Sequence, residues 1–397
     1  MRLDPLDYLS LELDALKQQG LYRQLRVLEG EQSHKTTFDH RLVVNLSSNN
    51  YLGLTTHPRL RERALKAVQE LGVGSGSVRS IAGTMDIHME LERRLAAFKK
   101  TEAVVVFQSG FAANAGTVAA VLSKDDVVVS DELNHASIID GARLSRATIK
   151  VFPHKDIDAA RKGLQQLPAG QRTLLITDGV YSMDGDLGAV PALCALAEEY
   201  GCIMMVDDAH ASGVFGANGR GTIDHFGVHG RVDIQVGTLS KAIGALGGYV
   251  AGSKALVEFL YHRARPFLFS TSHPPAVAAA CIAAIDVLEQ EPQIIERLWE
   301  NTRFFKAGLQ ALGFNTGLSD SPITPVIAGD GALAMKLSDR LFQEGVFAQG
   351  IAFPTVARDK ARVRTIVTAT HTRDELQFAL DVFARVGREL GLIGTEN

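Results

Sequence analysis

Apolar and polar positions follow two rhythms along this chain, with the change near Pro274. Between Ala103 and Ala251, short apolar runs at 104–107, 127–130, 149–152, 174–177, 203–206, 232–236 and 249–251 alternate with helix-like segments at 111–122, from Ala136, from Ile157 and from Pro191. Continuous apolar runs separated by helical spacing predict an α/β fold, a mostly parallel sheet with helices on both faces. In such sheets ligands bind beyond the carboxyl ends of the strands. Most of the polar segments of this region fall there.

After Pro274 the pattern changes to long helices at 276–289 and 294–312, a strand near 323–327, a helix near 332–344, strands near Val346 and Val363, and a helix at 372–390. This reads as a smaller C-terminal α+β domain. Before the sheet region, leucines at 6, 9, 13 and 16 predict an amphipathic helix over 5–19, stopped by Gly20. Such a helix packs either on a partner subunit or on its own chain. A short strand at 42–46 enters the polar loop Ser47-Ser48-Asn49-Asn50-Tyr51-Leu52-Gly53. Helices at 58–71 and 88–100 flank Gly72-Val73-Gly74-Ser75-Gly76-Ser77-Val78-Arg79, too glycine-rich for a regular element. The expected division is an N-terminal helix and arm at 1–45, a large domain at 46–290 and a small domain at 291–397.

Composition narrows the classes. The 397 residues exceed the ~250–300 at which one core stops growing. A net charge of −4 with no long run of one sign gives no reason to expect nucleic acid or an anionic membrane. Cys194, Cys202 and Cys281 are odd in number and lack metal-ligand spacing, which suits reduced core thiols. The N-terminus shows no apolar signal core, and the longest apolar stretch, 275–288, reads as a buried Ala-rich helix. A soluble cytoplasmic protein is expected. His225 and His229 have i, i+4 spacing, but Gly227 interrupts the helix that would align them and no H-E-x-x-H occurs, so no metal site is expected.

The chemistry concentrates at strand ends. Gly237-Thr238-Leu239-Ser240-Lys241-Ala242 places an amine and a hydroxyl at the mouth of the sheet, where a phosphorylated carbonyl cofactor, pyridoxal phosphate, would bind through Lys241. Alone, such a lysine also suits a solvated loop. Val206-Asp207-Asp208-Ala209-His210 ends another apolar run, and an Asp there holds a pyridinium nitrogen protonated. The two strand ends together are far more specific than either one. Ser109-Gly110-Phe111-Ala112-Ala113-Asn114 opens a helix whose N–H groups at Gly110 and Phe111 suit a phosphate, or an ordinary turn. His135, in Asp131-Glu132-Leu133-Asn134-His135-Ala136-Ser137, lies over a planar ring or caps a helix. Ser182 and His210 are within reach of a ring hydroxyl. Arg362 and Arg364 share one strand face, which suits a substrate carboxylate or a solvated edge. The glycines at 72, 74 and 76 do not make a dinucleotide fingerprint, and no P-loop is present.

In combination these segments, from Asn49-Asn50-Tyr51-Leu52-Gly53 to Thr368-Ala369-Thr370-His371-Thr372, resemble the α-oxoamine synthases, pyridoxal-phosphate enzymes that condense an amino acid with an acyl-CoA. The resemblance implies the fold-type I transferase fold and homodimers with shared active sites. It implies that Lys241 is the Schiff-base lysine and Asp207 the pyridinium partner, with His135 stacked on the ring and His210 with Ser182 at the ring hydroxyl. Thr238, Gly110 and Phe111 would hold the phosphate, and Thr271 or Ser272 would reach the neighbouring subunit's cofactor. Asn50, Thr355 and Arg364 match substrate-contacting positions, Arg364 as the carboxylate clamp. Ser77-Val78-Arg79-Ser80-Ile81-Ala82-Gly83-Thr84 and Asn134-His135-Ala136-Ser137-Ile138-Ile139-Asp140-Gly141 look closest to members that join glycine to acetyl-CoA, giving 2-amino-3-oxobutyrate. The alternative within the family is the decarboxylating synthesis of 8-amino-7-oxononanoate from pimeloyl-CoA and L-alanine, or an enzyme with both activities. An aminotransferase of the same fold and a catalytically silent relative are the readings outside it.

Overall fold

The structure, a computed structural model, describes residues 4–19, 22 and 25–394; Gly20, the expected stop of the first helix, lies outside them. The N-terminal region supplies β1 (Leu28–Glu29), β2 (Lys35–Phe38) and β3 (Arg41–Asn45). The large sheet is built from β4 (Ala103–Phe107), β5 (Val127–Asp131), β6 (Thr148–Phe152), β7 (Thr173–Asp178), β8 (Ile203–Asp207), β9 (Ile234–Thr238) and β10 (Gly248–Gly252). Its order is β4-β10-β9-β8-β7-β5-β6, and only β10 runs antiparallel to its neighbours. The mostly parallel sheet expected from the apolar runs is present.

The inner strands are mainly apolar and buried because both faces of the sheet are covered, whereas the edge strand β6 keeps exposed positions and Lys150. Val128, Ile176 and Met205 enter one core cluster, while their neighbours Val129, Leu175 and Met204 enter another on the opposite face. The Ala-rich helix Pro275–Gln290 lies in a third cluster with Tyr51, Leu91 and Tyr249, and its Ala278, Cys281, Ile282 and Ile285 are buried. That burial is why it reads as hydrophobic on all sides.

The C-terminal part supplies β11 (Ile323–Gly329), β12 (Val346–Phe347), β13 (Gln349–Ile351) and β14 (Ala361–Ile366). Strands β11, β14 and β13 form an antiparallel sheet packed against the helices Gln293–Ala311, Gly331–Gln343 and Arg373–Glu389. Strand β12 instead pairs with β3 in parallel, Val346 opposite Val44, and Val44 and Leu46 enter the C-terminal core. Residues 28–45, grouped above with the first helix as an arm, are thus stitched to a segment some 300 residues away in the chain. The first helix, Tyr8–Gln18, buries none of its residues in this chain.

Two local differences from the expected pattern matter for the site. Strand β9 begins and ends two residues later than the apolar run suggested, which brings Gly237 and Thr238 into the ladder. A Cβ at Gly237 would lie 2.3 Å from the Tyr249 ring, so only glycine lets β10 cross there. Arg79, assigned to an irregular loop, opens a helical turn, Arg79–Gly83. Its guanidinium makes paired hydrogen bonds to buried Glu92, at 2.9 and 3.1 Å, and Glu92 also accepts the Val106 N–H and the Tyr261 hydroxyl. The turn is anchored by charge rather than by periodicity.

Removing one member of a buried pair leaves the other charge unpaired, a cost of about 3–5 kcal/mol. Arg79→Met is therefore expected to lower the urea midpoint sharply, while Arg231→Met, at the exposed pair with Glu198, changes it little. Equal small shifts in the two variants, followed by equilibrium unfolding, would contradict the assignment.

Candidate active site

The carboxyl ends of β7, β8 and β9 and the start of the helix Gly110–Val121 enclose a cavity of about 220 Å³. Ser109 caps that helix, its hydroxyl accepting the Ala112 N–H at 3.0 Å. The N–H groups of Gly110 and Phe111 have no intrahelical acceptor, as at any helix start, and they sit at the positive end of the dipole. Strand β10 passes against this start. A Cβ on Gly248 would lie 2.3 Å from the Ser109 carbonyl oxygen. Thr238 and Ser240 line the same end, and both hydroxyls donate to the Gly247 carbonyl.

Asp207 ends β8 inside the cavity and is buried. Its carboxylate accepts the Ala209 N–H at 2.9 Å and the Asn114 amide at 2.5 Å. The same Asn114 nitrogen donates to Ser137 at 2.9 Å, and Ser137 meets His135 Nδ1 at 2.7 Å. His135 is both wall and cap: it lines the cavity and its ring accepts the Ser137 N–H at the start of the helix Ala136–Ser145. Burial lowers its pKa, against the pull of Asp207. Beside Asp207 in the ladder stands Asp178, whose carboxyl is pushed well up by burial and then by Asp207.

Lys241 lines the cavity three residues beyond the end of β9. Its amine has no hydrogen-bond or ion-pair partner among the described residues. Burial lowers it to about 8, although Asp207 and Asp178 favour the charged form. A desolvated, unpaired amine is an unfavourable thing to keep in a fold unless something binds it.

His210 also lines the cavity and is fixed from behind by the Tyr51 hydroxyl at 2.7 Å. Burial, then Lys241 and Arg364, keep its pKa well below the usual histidine value. Arg364 stands on β14, where one guanidinium nitrogen donates to the Ser182 carbonyl at 3.0 Å and another to Asn49 Oδ1 at 3.5 Å. It has no acidic partner among the described residues. Its strand neighbour Arg362 is spoken for by Asp184, at 2.5 Å, and the Met183 carbonyl.

Other expected contacts are arranged differently. Asn50 turns away from the cavity: its amide donates to Thr55 Oγ1 at 2.7 Å and to the Gln32 carbonyl at 3.3 Å. Its neighbour Asn49 meets Arg364 instead. Ser182 contributes its backbone carbonyl to the seat of Arg364 and is not part of the cavity lining. Thr355 follows Pro354 on the loop between β13 and β14 and is also outside that lining. Ser272 is buried, with its hydroxyl directed to the Gly83 carbonyl at 2.6 Å. Thr271 is exposed, which leaves it as the member of the pair able to reach another subunit. His225 meets the Phe215 ring edge-on and His229 bonds Asp224.

Asn114, Ser137, Asp178, Tyr51 and Ser240 were not singled out from sequence. A usable signal existed for Asn114, which lies four residues after Gly110 and thus on the same helix face. The contact between Tyr51 and His210 joins segments 159 residues apart and left no local trace.

A phosphorylated, ring-nitrogen-bearing aldehyde fits these groups. The helix start suits its phosphate, Asp207 a protonated ring nitrogen, and Lys241 its carbonyl carbon. Comparison with known proteins agrees. Residues 41–383 match the family model for class I and II aminotransferases. The chain is 60% identical over 388 residues to an 8-amino-7-oxononanoate synthase of Symbiobacterium thermophilum, covering 98% of this chain and 99% of that protein. It is 56% identical over 387 residues, with 98% and 99% covered, to 8-amino-7-oxononanoate synthase 1 of Bacillus subtilis. Among solved structures, serine palmitoyltransferase from S. paucimobilis with bound PLP superposes with a TM-score of 0.93 at 32% identity, covering 98% of this chain and all of that one.

The fold and site are those of a fold-type I pyridoxal-phosphate transferase, and the chain belongs to the class I and II aminotransferase family. Within that class it is an α-oxoamine synthase, a pyridoxal-phosphate-dependent acyltransferase. No helix among the described residues is long and apolar enough to cross a membrane.

Only an unprotonated amine attacks an aldehyde. Cofactor uptake by the apoprotein should therefore accelerate as pH rises through about 8 and level off above it. Stopped-flow absorbance of apoprotein mixed with pyridoxal phosphate measures this, and an inflection near 10.5, the ordinary lysine value, would contradict the depressed amine.

Proposed function

We propose that this enzyme condenses L-alanine with pimeloyl-CoA, releasing CoA and carbon dioxide to give 8-amino-7-oxononanoate. The observation that carries this reading is end-to-end identity of 53–60% to proteins that share that one name, from several bacteria. The expected condensation of glycine with acetyl-CoA has no such support. Of the two segments behind that expectation, 134–141 lines the cavity through His135 and Ser137 and 77–84 lies outside its lining, so neither reads the acyl chain.

The residues divide the work as follows. Arg364, a half-buried arginine with no acidic partner among the described residues, binds the amino-acid carboxylate. Lys241 Nζ, as a free amine, takes the proton from the alanine Cα. Pyridoxal phosphate supplies the electron sink for the charge that develops there. Asp207, fastened by Asn114 and the Ala209 N–H, would pair with the cofactor's ring nitrogen and favour its protonated form. His135 forms one wall and excludes water, and its Nδ1 is engaged by Ser137. His210, braced by Tyr51 through Nδ1, would hold the cofactor's ring hydroxyl with its other nitrogen.

Two copies of the chain complete the proposed assembly. The uncovered leucines of the first helix, with Leu11 73% exposed, and the exposed Ile81 and Phe269 next to Thr271 support an interface on this side. An assay of CoA thiol release, with carbon dioxide measured in parallel, tests the reaction: pimeloyl-CoA with L-alanine should turn over and acetyl-CoA with glycine should be much slower. The reverse order, without carbon dioxide, would overturn the reading. Lys241→Ala should lose at least ~10³-fold in turnover, as expected for removal of a general base, while remaining folded by circular dichroism.

A further inference from the structure

Outside the cavity lining, His154 stands between two carboxylates. Its Nδ1 meets Asp131 at 3.1 Å and its Nε2 meets Asp186 at 2.9 Å. A neutral imidazole has one N–H, so donating to both acids requires the imidazolium. Burial opposes that charge, and the hydrogen bonds to the two carboxylates outweigh it, raising the histidine to about 9. The other groups facing it are the Tyr181 ring, edge-on at 4.4 Å, and Lys155, whose amine shares Asp186 at 2.9 Å and whose N–H shares Asp131 at 2.9 Å.

Each carboxylate belongs to a segment that carries part of the site. Asp131 ends β5, four residues before His135. Asp186 closes the turn that begins at Tyr181: the Tyr181 N–H donates to the Asp186 carbonyl at 3.1 Å and the Gly185 N–H to the Tyr181 carbonyl at 2.8 Å. That turn offers the Ser182 carbonyl to Arg364 and the Met183 carbonyl to Arg362. Without the imidazolium, Asp131 and Asp186 would lose their direct link, and only Lys155, with its amine on Asp186 and its N–H on Asp131, would tie the turn to β5.

We propose that His154 is a positioning residue: as a charged strut between Asp131 and Asp186 it holds the 182–184 turn in the place that seats Arg364, and thereby sets the affinity for the amino-acid carboxylate. This rests on the reading that Arg364 binds that carboxylate. His154 touches neither substrate nor cofactor.

The test is the dissociation constant for L-alanine, from absorbance titration of the holoenzyme at fixed pH, set against the KM for pimeloyl-CoA. His154→Gln retains one donor and no charge. It should raise the alanine constant about tenfold, the loss of one well-placed charge-assisted contact, with the pimeloyl-CoA KM unmoved. A residue that served folding alone would lower the melting temperature without this split. Asp186→Asn should act in the same direction, and the double variant should be no weaker than the weaker single one, because both remove the same strut.

Arg364→Gln is the control that separates the two ideas. If it leaves alanine binding at the wild-type value, the clamp fails and the strut's effect through it fails with it. If it weakens binding while folded His154→Gln and Asp186→Asn stay within about twofold of wild type, the clamp stands and the strut is overturned. Effects that multiply in the double variant also overturn it. Should His154→Gln not fold, Asp186→Asn decides by the same criterion.

Discussion

A lysine amine drawn out of water at the carboxyl edge of a parallel sheet is the constraint that the rest of this structure serves. Among the described residues Lys241 has no partner of its own, yet two acids at the neighbouring strand ends favour its charged form and burial wins against them. Such a group can be kept only where surrounding elements are rigid enough to prevent its relaxation into solvent. The sheet meets that demand, because β7, β8 and β9 are apolar on both faces and their ends are held in register, Asp178 beside Asp207. The side chains at those ends move only if the core moves.

Around the amine, polar groups are arranged in pairs that leave one face of each ring or carboxylate for the cavity. Asn114 and the Ala209 N–H hold Asp207, Ser137 holds His135, and Tyr51 holds His210. Each holder lies on a different element from the group it holds, except Ser137 and Ala209, which are two residues away in sequence. Behind these lies a further layer of ion pairs, His154 with two acids and Lys99 with Asp208. The buried Lys99 also donates to the Arg220 carbonyl, which ties the residue after Asp207 to the 220–222 segment. Buried charges are costly unless every one is matched, and here the matching joins loops that carry the site.

The small domain enters the chemistry through one strand. Arg364 reaches the cavity region because β14 pairs with β11 and β13, and because the 182–184 turn of the large domain presents carbonyls to it. The expectation of glycine and acetyl-CoA came from segments 77–84 and 134–141, which leave the acyl partner open. Whole-chain similarity to 8-amino-7-oxononanoate synthases is what favours the longer acyl group.

The chain by itself determined the sheet, its helices and the strand ends that hold Lys241, Asp207 and Gly110, because hydrophobic periodicity and the carboxyl-edge rule are local properties of a sequence. It also determined the Ala-rich helix Pro275–Gln290, since a helix buried all round has no polar stripe. Tertiary structure alone decided that Asn49 rather than Asn50 meets Arg364, since a one-residue difference in a loop depends on how Asn50 is held by Gln32 and Thr55. It alone decided that Ser272 is committed within its own chain while Thr271 is exposed, that β12 crosses to β3, and that His154 finds two acids. Those outcomes depend on contacts between segments distant in sequence, whose energies no local pattern encodes.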